Sequence, residues 1–332
     1  MSSVTLAASP AGSWARLFRR LLVNGTGIAA AIYLVLFSIF AAHQQEALSV
    51  SAITDLLNNA LPLALAAAGS TLVVLTRGFD LSVAGVVSLT NVLMVTAIGE
   101  SAWAPLLGLV IVLAVGLGVG ALNGFLVGYV GLQSVTATLA TMIICSGVAL
   151  LILDFPGGDV PTFIADGLTG TIGGILPVAA LIAAAMILAW SAIRRTDWGV
   201  GLYAVGADET AAALAGISVR WIKLRAYCLA GACYGLAGYM LTALTATGDP
   251  NSGNTYLILA YAAIAIGGTS FSGGRGGLVG SMIGAATLSL LQKVLFSVGV
   301  LSFYTGIVQG LIMIMAVYIG VLSERIARGG RA

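Results

Sequence analysis

The chain has 332 residues, of which 59% are hydrophobic and 8% are charged, and its formal net charge is +2. Soluble domains carry roughly 25% charged residues, so this composition excludes a water-soluble globule and requires that most of the surface face lipid. The near-neutral net charge also gives no electrostatic signal for binding nucleic acid.

Apolar runs long enough to cross a bilayer recur along the whole chain. The first run, 21–42, follows three arginines and is longer than the roughly 7–15 apolar residues of a secretory signal, so we expect it to be retained as a span. Breaks or re-entrant segments are expected near 76–84 and 268–280. At roughly 20 residues a span, the sequence predicts an all-α polytopic membrane protein with about ten transmembrane helices, near 24–42, 52–76, 80–99, 103–128, 134–153, 172–193, 224–246, 255–270, 277–298 and 302–322.

The basic residues predict the orientation of these spans. With the N-terminus inside the cell, every Lys and Arg except Lys293 lies in or beside a cytoplasmic segment, whereas the outer segments carry acidic residues and no Lys or Arg. Cytoplasmic loops are enriched in Lys and Arg, so both termini are expected in the cytoplasm. The predicted domains are an N-terminal tail 1–20, a transmembrane domain 21–322 that includes a cytoplasmic loop 194–223, and a C-terminal tail 323–332.

The cytoplasmic loop 194–223 is the longest connection in this scheme. It contains a predicted short amphipathic helix from Asp208 to Ala215, because the acidic pair Asp208-Glu209 favours a first turn and Gly216 favours a helix end. Two interpretations follow from the spacing. The helix is either a docking surface for a partner protein or an ordinary surface helix within a connector.

The sequence offers no set of residues for nucleotide binding, metal binding or catalysis. The pattern G-x-x-x-x-G-K-[ST] is missing, and the glycine-rich segment 273–277 lacks the Lys-Ser/Thr that would hold phosphate and magnesium. The one histidine, His43, and three separate cysteines form no triad and no ligand cluster. We therefore expect no catalytic residue, no metal and no cofactor, and no enzymatic activity in this chain.

Several polar side chains lie within apolar segments. Asp80 has apolar sequence on both sides, and an ionisable residue in a span usually faces a partner or an aqueous cavity. Arg77 would pair with Asp80 if the segment were helical, and the alternative is that Asp80 caps a helix at the membrane surface. Gln133, Thr136 and Thr141 add further polar groups that could either join helices or line a path for a neutral polyhydroxylated solute. The candidate substrate-pathway residues are Asp80, Ser82, Asn91, Asn123, Thr138 and Asn254.

Four stretches carry a family resemblance. They are 71–83 (T-L-V-V-L-T-R-G-F-D-L-S-V), 121–127 (A-L-N-G-F-L-V) with 137–142 (A-T-L-A-T-M), the loop 195–219, and 248–253 (G-D-P-N-S-G) with 267–276 (G-G-T-S-F-S-G-G-R-G). In order and spacing they resemble the permease subunits of ribose-type sugar ABC importers, a family whose solutes include xylose, arabinose, galactose, inositols and autoinducer-2. The resemblance runs over about residues 50–320.

The resemblance implies a multi-pass permease subunit in a bacterial inner membrane that imports a small sugar-like solute. It implies three kinds of partner besides membrane lipid: a separate ABC ATPase on the cytoplasmic side, a periplasmic sugar-binding protein, and a second permease copy or a paralogue in a dimer. It also places an ATPase coupling helix in the loop, with Asp208, Glu209, Ala213, Leu214 and Gly216 as its residues.

The chain departs from the family pattern at three places, and other functions stay open. It has Arg77-Gly78 where the family has Gly-Gly, Ala84 in place of Gly, and Gln133-Ser134-Val135 in place of Pro-Pro-Phe, so its solute need not be ribose. The alternatives are a sister branch that carries nucleosides or branched amino acids, a self-sufficient secondary transporter or channel, and a membrane enzyme. A secondary transporter would need a coupling-ion site, for which Asp80 and Lys293 are the candidates.

Overall fold

The structure, a computed structural model, describes residues 25–99, 101, 103–299, 306, 307, 310, 311 and 314. The predicted tails 1–20 and 323–332 lie outside the described residues, as do all but five positions of the predicted tenth span 302–322. Nothing in the described part bears on the division into tails and transmembrane domain, which remains a prediction.

Helices make up about three quarters of the described part, and the only sheet within it is a two-stranded hairpin. A π-helical turn at Leu126–Val130 continues the helix Ala104–Phe125, and the two strands of the hairpin pair antiparallel, Thr171 with Pro177 and Ile172 with Leu176. The elements are α1 Gly25–His43, α2 Val50–Val74, α3 Ser82–Thr96, α4 Ala104–Phe125, α5 Ser134–Ile152, α6 Thr162–Thr169, β1 Thr171–Ile172, β2 Leu176–Pro177, α7 Val178–Ile193, α8 Asp197–Ala207, α9 Glu209–Leu214, α10 Val219–Thr245, α11 Asn254–Ile266 and α12 Leu278–Ser297.

Each of the first nine predicted spans coincides with a helix, but fewer than nine are long enough to cross a bilayer. Within the described residues, six helices have the necessary length and apolar character, namely α1, α2, α4 with its π-helical turn, α5, α10 and α12. A seventh is added if α7 and α8, which bend by 80° at their junction, count as one span. The count of ten is therefore not confirmed, whereas the helical character of the first nine predicted spans is confirmed.

The predicted breaks are present and account for the short helices. Helix α3 has 15 residues and α11 has 13, and roughly 20 are needed to cross the hydrocarbon core. Non-helical segments 75–81 and 267–277 adjoin them, close to the expected breaks at 76–84 and 268–280. Irregular backbone at this depth is tolerated only where protein surrounds it, and both short helices have largely buried faces.

Helix α10 packs against α2, α3 and α4 and lies at the centre of the bundle. Its contact with α4 is made by backbone atoms. A Cβ added to Gly116 would lie less than 3.0 Å from the carbonyl oxygen of Gly231, and one added to Gly231 would lie as close to the carbonyl oxygen of Gly116. Gly120 and Gly235 meet the facing helix in the same way. Small residues permit this approach between helices that no hydrophobic effect drives together in lipid.

The connecting segments gather at two opposite ends of the helices. At one end, the Arg77 guanidinium donates hydrogen bonds to the backbone carbonyls of Ser272 (2.8 Å) and Ala207. At the other end, Gly157 and Gly248 form an antiparallel bridge. The first group consists of segments predicted to be cytoplasmic, and the second consists of segments predicted to lie outside.

The contact between α4 and α10 predicts a position-specific effect of a single methyl group. Gly116→Ala should destabilise the folded protein by about 2 kcal/mol or more, because its Cβ meets backbone that no rotamer change can move. The matched control is Gly118→Ala on the same helix, where an added Cβ has nothing within 4 Å. Alanine there should be neutral or slightly stabilising. Thermal unfolding of both variants in one detergent would measure the difference, and equal melting temperatures would contradict the contact.

Candidate functional site

Asp80 lies in the non-helical segment between α2 and α3 and is fully buried. Its Oδ1 accepts hydrogen bonds from the backbone N–H of Ser82 (3.0 Å) and from the Ser82 hydroxyl (2.5 Å). Its Oδ2 is buried and has no hydrogen-bond partner among the described residues. The carboxyl group therefore contacts the first residue of α3 from inside the protein.

The hydroxyl of Ser82 extends this contact to two more helices. It accepts a hydrogen bond from the Asn123 amide on α4 (3.0 Å), and the Asn123 Oδ1 accepts one from the Thr141 hydroxyl on α5 (2.8 Å). One turn earlier on α5, Thr138 accepts from the backbone N–H of Leu81 (3.0 Å). We refer to Asp80, Ser82, Asn123, Thr138 and Thr141 as the Asp80 cluster; all five are buried.

Three tyrosines surround the Asp80 cluster. The Tyr261 hydroxyl on α11 accepts from the backbone N–H of Asp80 (2.7 Å) and donates to its carbonyl (3.1 Å). From α10, the Tyr227 hydroxyl donates to the carbonyl of Phe79 (3.5 Å), and the Tyr234 hydroxyl contacts the Ser70 hydroxyl (3.1 Å). Tyr227 and Tyr234 are seven residues apart, two helical turns, so one face of α10 carries both. The segment that contains Asp80 is thus held by side chains from four helices.

The expected pairing of Arg77 with Asp80 does not occur. The segment is not helical, so the two side chains diverge, and Arg77 instead binds the carbonyls of Ser272 and Ala207. Its φ of 62° is in the left-handed region, which costs a non-glycine residue about 1–2 kcal/mol. The glycine of the family pattern would adopt this conformation freely. In this chain, the two carbonyl contacts hold an arginine there.

Asn91 belongs to a separate polar cluster at the other end of α3. Its amide nitrogen donates to the Thr242 hydroxyl on α10 (2.7 Å) and to the carbonyl of Thr247 (3.2 Å). Its Oδ1 accepts from the backbone N–H of Asp249 (2.6 Å). The arrangement fixes the loop 246–253 on α3. Asn254 is exposed at the start of α11 and joins neither cluster.

The predicted helix in the loop 194–223 is confirmed as α9, Glu209–Leu214. Asp208 caps it by accepting from the backbone N–H of Ala211 (2.9 Å), and Gly216 follows with a φ of 83°. Glu209 forms an ion pair with Lys223 on α10 at 2.8 Å. Ala213 and Leu214 are exposed, and Leu214 is 85% accessible. Helix α8 was not predicted, because its glycines obscure the helical pattern of 197–207.

A cavity of about 780 Å³ lies beside α9 and borders the non-helical segment that contains Asp80, at Arg77 and Gly78. We call it the α9 cavity. One wall is formed by Glu209, Thr210 and Ala213 of α9, and another by the start of α10. Its floor includes Gly78 and Ser134, and the Ser134 hydroxyl accepts a hydrogen bond from the backbone N–H of Phe79 (3.2 Å). The cavity therefore separates the loop helix from the segment that holds Asp80.

The residues that the sequence analysis grouped as a substrate pathway are thus divided in space. Asp80, Ser82, Asn123 and Thr138 come together, Asn91 joins a second cluster, and Asn254 is apart from both. The three tyrosines were missed, although a hydroxyl within an apolar span signals a hydrogen-bond partner. No group of three or more His, Cys, Asp or Glu in the described part of the chain could hold a metal ion.

Comparison with known proteins gives consistent matches over most of the chain. The family model described as branched-chain amino acid transport system permease component matches residues 52–317. The chain is 32% identical over 293 residues to the ribose import permease protein RbsC of Escherichia coli (strain K12), covering 86% of this chain and 90% of that protein. No solved structure matches the chain.

Two further relatives extend the comparison. The ribose import permease protein RbsC of Bacillus subtilis (strain 168) is 34% identical over 259 residues, which cover 76% of this chain and 79% of the relative. The galactofuranose transporter permease protein YtfT of Escherichia coli (strain K12) is 38% identical over 240 residues, which cover 70% of this chain and 68% of the relative. Each of these matches therefore covers more than two thirds of both proteins.

Proposed function

The chain belongs to the transport-permease family and to its ribose-type ABC permease branch, and from this premise we propose that it is the membrane-spanning subunit of an ATP-driven importer for a small sugar-like solute. It is a multi-pass membrane protein, and we propose the bacterial inner membrane as its location. The observation that carries the proposal is the match to a ribose import permease over 86% of this chain and 90% of the relative.

The proposed topology has ten spans with both termini in the cytoplasm. It treats α3 and α11 as short spans completed by the adjoining non-helical segments. The clustering of Arg77 with the loops near Ala207 and Ser272 at one end supports it, because cytoplasmic loops are the ones enriched in basic residues.

The proposed partners are an ABC ATPase, a periplasmic sugar-binding protein and a second permease chain. For the ATPase, the proposed contact is α9 with Asp208, Glu209, Ala213, Leu214 and Gly216. Leu214, at the end of this short helix, is 85% exposed, and an exposed apolar side chain of this size supports a protein contact there. A helix as short as α9 is not stable in water by itself, so it also depends on contacts with its surroundings. The ion pair between Glu209 and Lys223 joins α9 to α10. We propose that a displacement of α9 by the ATPase is transmitted through this ion pair to α10, at the centre of the bundle.

A sugar fits the Asp80 cluster better than the amino acid named in the family description. Hydroxyl and amide groups dominate the cluster, and they suit the alternating donors and acceptors of a polyol. A zwitterionic amino acid would need a cation as well as an anion, and the buried polar side chains of the described residues include Asp80 but no Lys or Arg.

We propose that solute passes beside Asp80, Ser82, Asn123 and Thr138 when the surrounding helices separate. Asn91 and Asn254 are proposed to lie nearer the outer entrance.

The energy source distinguishes this function from a secondary transporter. Host cells that express the chain and matched deletion cells should be tested with a panel of radiolabelled pentoses and hexoses. Depleting ATP with arsenate should abolish the uptake that depends on this chain, whereas a protonophore should leave it largely intact while ATP is maintained. Uptake that survives ATP depletion and collapses with the protonophore would refute the proposal.

Charge reversal on α9 should uncouple the ATPase. In Asp208→Lys/Glu209→Lys the helix loses its cap and the bond to Lys223, and loss of a cap alone is worth about 1 kcal/mol, or about 5-fold in an equilibrium. Solute-stimulated ATP hydrolysis by the purified complex should therefore fall about 5-fold or more, while the permease stays folded. Asp166→Lys, at an exposed position of α6, is the matched control. Unchanged hydrolysis in the α9 variant would rule out this coupling role.

Asp80→Asn should reduce uptake without preventing membrane insertion. The amide oxygen can still accept from Ser82, but an NH₂ group replaces the unpartnered oxygen that we propose accepts from solute hydroxyls. Losing a hydrogen bond to a charged group should lower uptake about 10-fold. Asp55→Asn, an exposed acid on α2, is the control. The result would go against the proposal if Asp80→Asn cells, with membrane levels matched to wild type, took up solute at the wild-type rate.

A further inference from the structure

The α9 cavity has an electrostatic character that a path for a neutral solute does not require. Three cationic side chains, Arg77, Arg220 and Lys223, line it together with one anionic side chain, Glu209. The side chains at its walls therefore carry a net charge of +2. Its volume of about 780 Å³ is within the range of roughly 300–1,000 Å³ that is typical of small-molecule sites.

The three cationic side chains differ in the hydrogen bonds and ion pairs that they already form within the protein. Lys223 binds both carboxylate oxygens of Glu209, at 2.9 and 2.8 Å, so the acid in the cavity is already neutralised. Arg77 uses Nε and one terminal nitrogen on backbone carbonyls. The guanidinium of Arg220 forms no hydrogen bond or ion pair with any described residue. The cavity thus contains an unpaired planar donor group that suits an oxyanion.

Two helices also begin at this cavity. Gln133 and Ser134, at the start of α5, line it, as do Val219 and Arg220 at the start of α10. Neither helix has a side-chain cap or an acidic residue in its first turn. The N-terminus of a helix carries a partial positive charge and free N–H groups that favour phosphate. Two such termini therefore add to the positive potential of the three cationic side chains.

We infer that the α9 cavity binds a phosphate-bearing ligand, with Arg220 as the principal contact and Lys223 beside it. A phosphate monoester carries a charge of about −2 at neutral pH, which balances the +2 of the lining side chains. The shared chemistry is a phosphate group, which either a free organic phosphate or the headgroup of an anionic lipid could supply. This site is additional to the proposed transport of a neutral sugar.

Occupancy of this site has a structural consequence for α9. A phosphate placed between Arg220 and Lys223 competes with Glu209 for the Lys223 ammonium group. That ion pair is the only salt bridge among the described residues, and it joins α9 to α10. A ligand in the cavity therefore acts on the position of the same helix that we propose contacts the ATPase.

The test uses the full chain alone, so its failure and the failure of the transport proposal are distinguishable. In the first arm, the chain in phosphatidylcholine nanodiscs is titrated with ribose 5-phosphate by calorimetry, with ribose as the uncharged control. In the second arm, detergent-purified chain is incubated with phosphatidylglycerol, and retained lipid is counted by native mass spectrometry. Arg220→Gln is the test variant. Arg225→Gln, whose guanidinium lies over the Trp221 ring at 5.4 Å and outside the cavity lining, is the matched control.

Saturable binding of ribose 5-phosphate but not ribose, weakened about 10-fold or more by Arg220→Gln and unchanged by Arg225→Gln, would support a free phosphate as ligand. Retention of phosphatidylglycerol with the same dependence on the variants would support a lipid headgroup. Because the Arg220 guanidinium forms no hydrogen bond or ion pair with any described residue, its substitution should leave the fold intact. The inference is overturned if wild type binds neither probe, or if both variants weaken binding equally, since a general basic surface would then explain the attraction.

Discussion

The backbones of α4 and α10 touch, and the central position of α10 depends on this contact. Gly116 and Gly231 each face the carbonyl oxygen of the other helix, at a separation that excludes any side chain. Lipid tails are as apolar as the helices themselves, so burial of apolar area does not select this pairing. The pairing is instead selected by close van der Waals contact between the glycine surfaces of the two helices. With α10 fixed in this way, the polar residues along it are positioned against the helices on its other sides.

Helix α10 carries one polar contact after another from one end of the bundle to the other. Lys223 holds the loop helix α9, and Tyr227 reaches the carbonyl of Phe79 beside Asp80. Further along, Tyr234 contacts Ser70, and Thr242 receives the Asn91 amide at the far end. In an apolar medium each of these groups needs a partner, so the contacts specify one arrangement of the helices. They also give a continuous physical connection from the proposed ATPase contact to the proposed solute path.

The sequence was sufficient for features that depend on local chemistry. Lipid requires hydrogen-bonded backbone, so apolar runs predicted the helices well, and Asp208 and Gly216 predicted the bounds of α9. The sequence did not indicate which helices pack against each other, because residues that face lipid and residues that face protein are equally apolar. For the same reason it could not show that Asn91 and Asn123 belong to different clusters. The predicted pairing of Arg77 with Asp80 was wrong because the backbone at Arg77 is in the left-handed region, which the spacing of residues in the sequence does not reveal.

We propose that this chain works as the membrane subunit of an assembly whose ATPase is a different protein. The most direct measurement is a gentle-detergent pull-down of the tagged chain from its host membrane, followed by mass spectrometry of what co-purifies. We expect an ATPase with a P-loop to co-purify in near-stoichiometric amount. If the chain is recovered alone, under conditions that preserve known complexes of this kind, the proposed partnership with an ATPase is contradicted and a self-sufficient transporter is favoured.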